Sequence, residues 1–144
     1  MPKSTATCNS IVNLMYSATN WANVADDAAV APLADVFVGL HTANLTAATN
    51  SQAENETAYT DYARQDVARS TGWDAASGGA TANAATISFP QCGVTGATLT
   101  HVSTGIAVSG ASAVWHYGAL NASLAVSSGI TPQFAAGALT VTEA

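Results

Sequence analysis

The side chains able to do chemistry are few and scattered along these 144 residues. His41, His101 and His116 each fall in or beside a strand-like segment among small residues. No H-x-H or H-x3-H spacing brings two of them to one metal, so packed or surface histidines are expected. Asp26 and Asp27 are the adjacent carboxylates, but neighbours along a helix point apart, which suits capping or solvation better than an acid–base dyad. Glu54 and Glu56 sit in a polar stretch and read as solvated. Serine and threonine abound, yet no G-x-S-x-G elbow presents a nucleophile. Ser77-Gly78-Gly79 has neither the following lysine nor the strand-to-helix setting of a phosphate loop. Cys8 and Cys92 make neither a disulfide scaffold nor a metal motif and read as reduced and packed. The expectation is a protein without catalytic residues, metal or cofactor.

The cations carry more information because Lys3, Arg64 and Arg69 are all there are. An arginine among aromatics stacks on a ring or pairs with a carboxylate such as Asp61 or Asp66; contact with a neighbouring subunit is the second reading. Trp115 alternates with Tyr117 and reads as core. Trp21 and Trp73 stand at element ends, where an aromatic anchors a subunit contact. Trp21, Arg64, Arg69 and Trp73 are therefore the candidate contacts to another subunit or a partner protein.

The elements that must position these residues are mostly strands. Cys8, Ile11, Val12, Met15, Tyr16 and Thr19 keep a helical rhythm, with Ser4 or Thr5 as cap, and predict one amphipathic helix or arm over residues 5–19. Asn23 to Asp35 is ambiguous, with a short helical turn ended by Pro32 as one reading. From Val36 the pattern becomes β: Val36–His41, Tyr59–Val67, Thr86–Phe89, Leu99–Val108, Ala113–Tyr117, Ala122–Val126, Gln133–Phe134 and Leu139–Thr142. Residues 44–57 read as a long surface loop. Short strands with frequent turn signals predict a mainly β fold: a single antiparallel β-sandwich domain over residues 1–144, with one N-terminal α-helix.

Composition excludes several functions. Charged residues make up 8% of the chain, against about 25% in an ordinary domain. With a net charge of −6 and three cations, no nucleic acid is expected as a partner. No basic amphipathic stretch suits a membrane surface, and no apolar run spans a bilayer. The first residues lack the apolar h-region of a signal peptide. Much of the 49% hydrophobic content is alanine, so association with copies of itself would add burial to a thin core.

Four segments then carry a family resemblance: Ala18 to Ala43, Thr57 to Arg64, Ala85 to Cys92 and Gly129 to Val141. Leu40-His41-Thr42-Ala43, a polar loop, and Tyr59-x-x-Tyr62-Ala63-Arg64 form its most specific phrase. The chain resembles, over nearly its full length, small structural proteins of tailed bacteriophages and prophages, called head decoration (cement) or tail-fibre proteins. The resemblance implies a non-enzymatic virion protein with a jelly-roll-like sandwich. It implies a homodimer or homotrimer on the outer capsid surface, bound to the major capsid protein and stabilising the shell across capsomer boundaries. The acidic charge fits an outer location, since packaged DNA repels anions. A tail or tail-fibre adaptor or receptor-binding module is the alternative.

Overall fold

The computed structural model describes residues 3–21, 32–46 and 51–143. Among the described residues it is mainly β, with one α-helix. The elements are α1 (Thr5–Tyr16), β1 (Asp35–His41), β2 (Gln65–Ala68), β3 (Ala80–Ala82), β4 (Ile87–Ser88), β5 (Ala97–Gly105), β6 (Val114–Val126), β7 (Gln133–Phe134) and β8 (Thr140–Thr142). They form an open four-stranded sheet of order β2-β1-β5-β6 and two ribbons, β3-β8 and β4-β7. The β1–β5, β5–β6 and β3–β8 pairings are antiparallel. The chain divides into two compact units, one of Met1–Asp35, Val67–Ile87 and Phe134–Ala144, the other of Val36–Asp66 and Ser88–Gln133.

In the first unit, α1 starts where Ser4 accepts the Thr7 amide on its hydroxyl, at 3.2 Å. That satisfies an amide the helix itself cannot. Cys8, Val12 and Tyr16 recur every fourth residue and are buried. The helix is thus three residues shorter than the predicted 5–19. It stops because Ala18 takes a left-handed φ of 50°, letting both Ser17 and Thr19 donate to the Asn13 carbonyl. The Asn13 side chain accepts from Ala76 N–H at 2.8 Å, so the helix's polar positions hold loops of its own unit. Buried Asn83 does similar work: its amide donates to Ala85 and Ala135 carbonyls at 2.7 and 2.8 Å, and its oxygen accepts from Leu139 N–H at 2.8 Å.

Arg69 closes the other end of α1. Its guanidinium donates to the Met15 carbonyl at 2.8 Å, to Leu14, and to Leu33 at 2.7 Å. The last carbonyls of a helix have no internal partner and gather partial negative charge, so a buried cation answers both needs.

In the second unit, β1 pairs with β5 from Phe37↔Gly105 to His41↔His101. Val36, Val38, Leu40, Leu99, Val102 and Val126 are buried. The β5–β6 ladder runs from Gly105↔Val114 to Ala97↔Val126, but jumps between Leu99↔Leu124 and His101↔Ala119. Leu120–Ser123 therefore bulge opposite Thr100, and β6 pairs as two short segments. These match the two separate strands predicted for Ala113–Tyr117 and Ala122–Val126. Tyr117 is 44% exposed, so the predicted core role for its alternation with Trp115 is corrected: Trp115 is half-buried. Tyr59–Arg64 is irregular rather than strand; there, Tyr59 and Tyr62 turn their rings onto each other at 5.3 Å. Most of the ambiguous segment from Asn23 lies outside the described residues.

Replacing Arg69 by Met should leave three carbonyls without their donor, each worth about 1–3 kcal/mol when buried. We expect a loss of at least about 2 kcal/mol in urea unfolding, with reduced helical circular dichroism.

Candidate functional site

The second unit holds a connected set of buried polar side chains built around Arg64. The residue follows the Tyr59–Ala63 segment and sends its side chain inward, where 1% of it is exposed. Its partner is neither Asp61 nor Asp66 but Glu56. Nε donates to Oε1 at 2.6 Å and Nη2 to Oε2 at 2.8 Å, a side-on two-point pair. The remaining donors reach the Ala107 carbonyl (2.9 Å), the Gly110 carbonyl (2.8 Å), the Ser112 hydroxyl (3.2 Å) and the Gln52 carboxamide oxygen (3.3 Å). A lysine cannot make this pattern, because its donors radiate from one nitrogen.

Glu56 is thus not the solvated residue expected from its polar surroundings. Tyr62 also donates to Glu56 Oε1 at 2.9 Å and accepts the Leu40 amide at 3.0 Å. Burial pushes the Tyr62 phenol well above its ordinary range, keeping it a neutral donor. Tyr59 is pushed up to about 12, chiefly by burial, and donates to the Pro90 carbonyl at 2.9 Å.

Gln52, fully buried, uses both ends of its amide. Nε2 donates to the Phe37 carbonyl at 2.9 Å and to Ser103 Oγ at 3.2 Å, while Oε1 accepts from Arg64 and from Ser112 at 3.1 Å. Its own N–H donates to the Ser112 carbonyl at 3.0 Å. The set ends at His41, also fully buried. His41 Nδ1 lies 2.9 Å from the Glu54 carbonyl and Nε2 lies 2.8 Å from Ser103 Oγ. A carbonyl only accepts, so Nδ1 carries the proton and Nε2 accepts from the serine. Desolvation lowers the His41 pKa. Asn55 enables this approach: its φ of 50°, tolerable for asparagine, turns the loop so that the Thr42 N–H meets the Asn55 carbonyl at 2.9 Å.

Ser103 and His41 stand at the separation of a nucleophile and its base. Ser103 is 1% exposed, however, and its hydroxyl lies between the imidazole and the Gln52 amide. What the arrangement does physically is hold main chain. Arg64 and Gln52 together fix the β5–β6 loop at Ala107, Gly110 and Ser112. That loop, Ile106-Ala-Val108-Ser-Gly-Ala-Ser-Ala113, is otherwise a small-residue segment with little to order it. It presents Val108 at 63% exposure. Gly105 is required at its root: a Cβ there would overlap the Gln52 carboxamide and come within 2.6 Å of the Ala113 carbonyl.

Of the four predicted contact residues, Arg64, Arg69 and Trp73 are buried and Trp21 is half-buried. Trp73 packs edge-on against Tyr16, with ring centroids 4.7 Å apart. Arg64 belongs to one unit, Arg69 and Trp73 to the other. Sequence reasoning missed Gln52, Glu56, Ser103 and Ser112. The available signal was scarcity: an arginine in so uncharged a chain needs a carboxylate, and Glu56 lies eight residues away. Among the described residues, no three of His, Cys, Asp and Glu gather as a metal site would require, and no helix is long and apolar enough to cross a membrane.

Fold and site describe a β-rich protein in which the buried polar side chains around Arg64 hold its own loops. The profile of one family, described as "Podophage GP4 fiber I protein gp80", matches residues 4–142. The chain belongs to this family, and is a phage structural protein. No curated protein matches it. The family's description fits the tail-fibre alternative better than capsid decoration.

Two predictions follow from the buried set. Arg64→Met strands Glu56 and should cost about 3–5 kcal/mol in chemical denaturation, whereas the double replacement with Glu56→Met should recover part of that loss. The second concerns pH. A histidine whose folded pKa is depressed below the unfolded value of about 6.5 contributes its full stability above that pH. That contribution declines as the pH falls below about 6.5 toward the folded value. Thermal midpoints should therefore fall between pH 7 and pH 5 (from about half a unit above that value to about one and a half below it), and His41→Gln should flatten the decline.

Proposed function

We propose that this protein is a non-enzymatic component of a phage tail fibre, acting as an adaptor or receptor-binding module through its surfaces. The single observation that carries this reading is the family match across residues 4–142. The site geometry supports it. The best-ordered polar groups of the second unit face main chain, and what they order is an uncharged loop with apolar side chains outward. Rigid, pre-ordered loops lose less entropy on docking than loose ones, which suits a part that must bind.

The proposed partners are other proteins of the particle and further copies of this chain, with neither nucleic acid nor membrane among them and no cofactor. The capsid-decoration reading, with the major capsid protein as partner on an outer jelly-roll-like module, rests on the sequence resemblance and the acidic charge. The fibre reading has the family description behind it as well.

Immunogold labelling of purified particles tests the proposal. Gold restricted to the tail region, with copies per particle numbering from a few to a few dozen, is expected. Label spread over the head with hundreds of copies, or label absent from particles, would overturn it.

A further inference from the structure

Five polar side chains of the second unit stand in an order that holding loops does not require. Ser103 Oγ lies 2.8 Å from His41 Nε2 and, on its other side, 3.2 Å from the Gln52 carboxamide nitrogen. The Gln52 carboxamide oxygen faces two donors, Arg64 Nη1 at 3.3 Å and Ser112 Oγ at 3.1 Å. A hydroxyl, a base, a carbonyl carbon and a pair of donors at its oxygen are the parts of an acyl transfer. Here the carbonyl carbon belongs to the chain itself.

Each part is set for its role. His41 Nδ1–H donates to the Glu54 carbonyl, which fixes the tautomer and leaves Nε2 bare toward the serine. Desolvation keeps the ring neutral and so able to take a proton. Among the charged and titratable groups acting on it, Arg64 and His101 oppose the imidazolium and Glu56, paired with His41 in a β-bridge, favours it. His41 and Gln52 are fully buried and Ser103 is 1% exposed, so bulk water does not compete for the carbonyl carbon. The hydrogen bond presents the edge of the carboxamide to Oγ, whereas attack needs its face. Rotation about χ3 of the glutamine, a soft torsion, supplies that face.

We infer that Ser103 and Gln52 become joined by an ester, formed once within the folded chain with release of ammonia. His41 Nε2 takes the hydroxyl proton as Oγ bonds to Cδ. The carbonyl electron pair moves onto Oε1, where Arg64 and Ser112 hold the oxyanion. As that pair returns, the Cδ–Nε2 bond breaks and His41 passes its proton to the leaving nitrogen. One amide and one hydroxyl give one ester and one ammonia, and nothing is oxidised or reduced. An ester is less stable than an amide, but groups held together react at effective concentrations of up to about 10⁵–10⁸ M, and the ammonia escapes. Each chain reacts once, so the step is a self-modification and not turnover. The bond joins positions 51 residues apart and ties β5 to the segment that carries Glu56.

Intact-mass spectrometry of the purified full chain tests this. The wild type should weigh about 17 Da less than its sequence, N-terminal processing allowed for, because one ammonia has left. Fragmentation should find Gln52 linked to Ser103. Hydroxylamine, which cleaves esters and spares ordinary amides, should part the two. Ser103→Ala and His41→Gln should each keep the full sequence mass, a readout that a merely structural role for either residue would not move. A wild type at full sequence mass would overturn the inference. So would a deficit that survives Ser103→Ala, or one that maps elsewhere in the chain. The wild-type mass and the linked peptide decide the matter even if a variant fails to fold. The inference stands apart from the fibre reading, since no mass measurement alters where gold falls on particles.

Discussion

Burying the Arg64 guanidinium obliges the chain to supply acceptors for five N–H groups, since a cation withdrawn from water without partners costs several kcal/mol. Glu56 answers two, and the rest go to Ala107, Gly110, Ser112 and Gln52. The acceptors come from two segments of chain, Gln52 and Glu56 from one and the β5–β6 loop from the other, so satisfying one side chain fixes both together. Gln52 in turn orders Ser103, and Ser103 orders His41, which grips the loop again at Glu54. Arg69 meets the same demand in the first unit, with the Met15, Leu14 and Leu33 carbonyls among its acceptors. In a chain with three cations, two are buried where irregular backbone needs donors.

This use of charge bears on function. A protein that works by docking needs surfaces whose shape survives binding, and a β fold of short strands leaves much of its chain in loops. Holding those loops by buried polar groups frees the outside from that task. The outside can then be poor in charge, as the span from Ala75 to Thr142, without Lys, Arg, Asp or Glu, is. The same distribution leaves the reactive-looking Ser103–His41 pair inside, as two links in a scaffold.

Much of the fold was legible. Helical spacing of Cys8, Val12 and Tyr16 with Ser4 ahead located α1, and alternation located β1, β4, β5, β7 and β8 to within a few residues. The short β3 was missed because Ala80-Thr81-Ala82 has no apolar alternation; pairing to β8 makes it a strand. Residues 44–57 looked like a solvated loop because Gln and Glu are usually exposed, yet Leu45, Gln52 and Thr57 are buried. Gln52 is buried against Arg64, which arrives from elsewhere in the chain, and single-residue polarity carries no trace of that. The two tyrosines of the Tyr59 segment mimicked a strand for the same reason: aromatic content signals burial, and here the burial is irregular. The candidate site was half legible. Arg64 stood out by rarity, but its partner and the loop it holds are properties of the fold.

The most direct test of this account is nitrogen-resolved NMR of the Arg64 guanidinium in the intact protein. If all five N–H groups are held as described, Nε–H and the Nη protons should appear as separate resonances, slow to rotate and slow to exchange with water. A single averaged Nη signal exchanging rapidly with solvent would show that the guanidinium is not fixed, and would contradict the claim that it holds the β5–β6 loop in place.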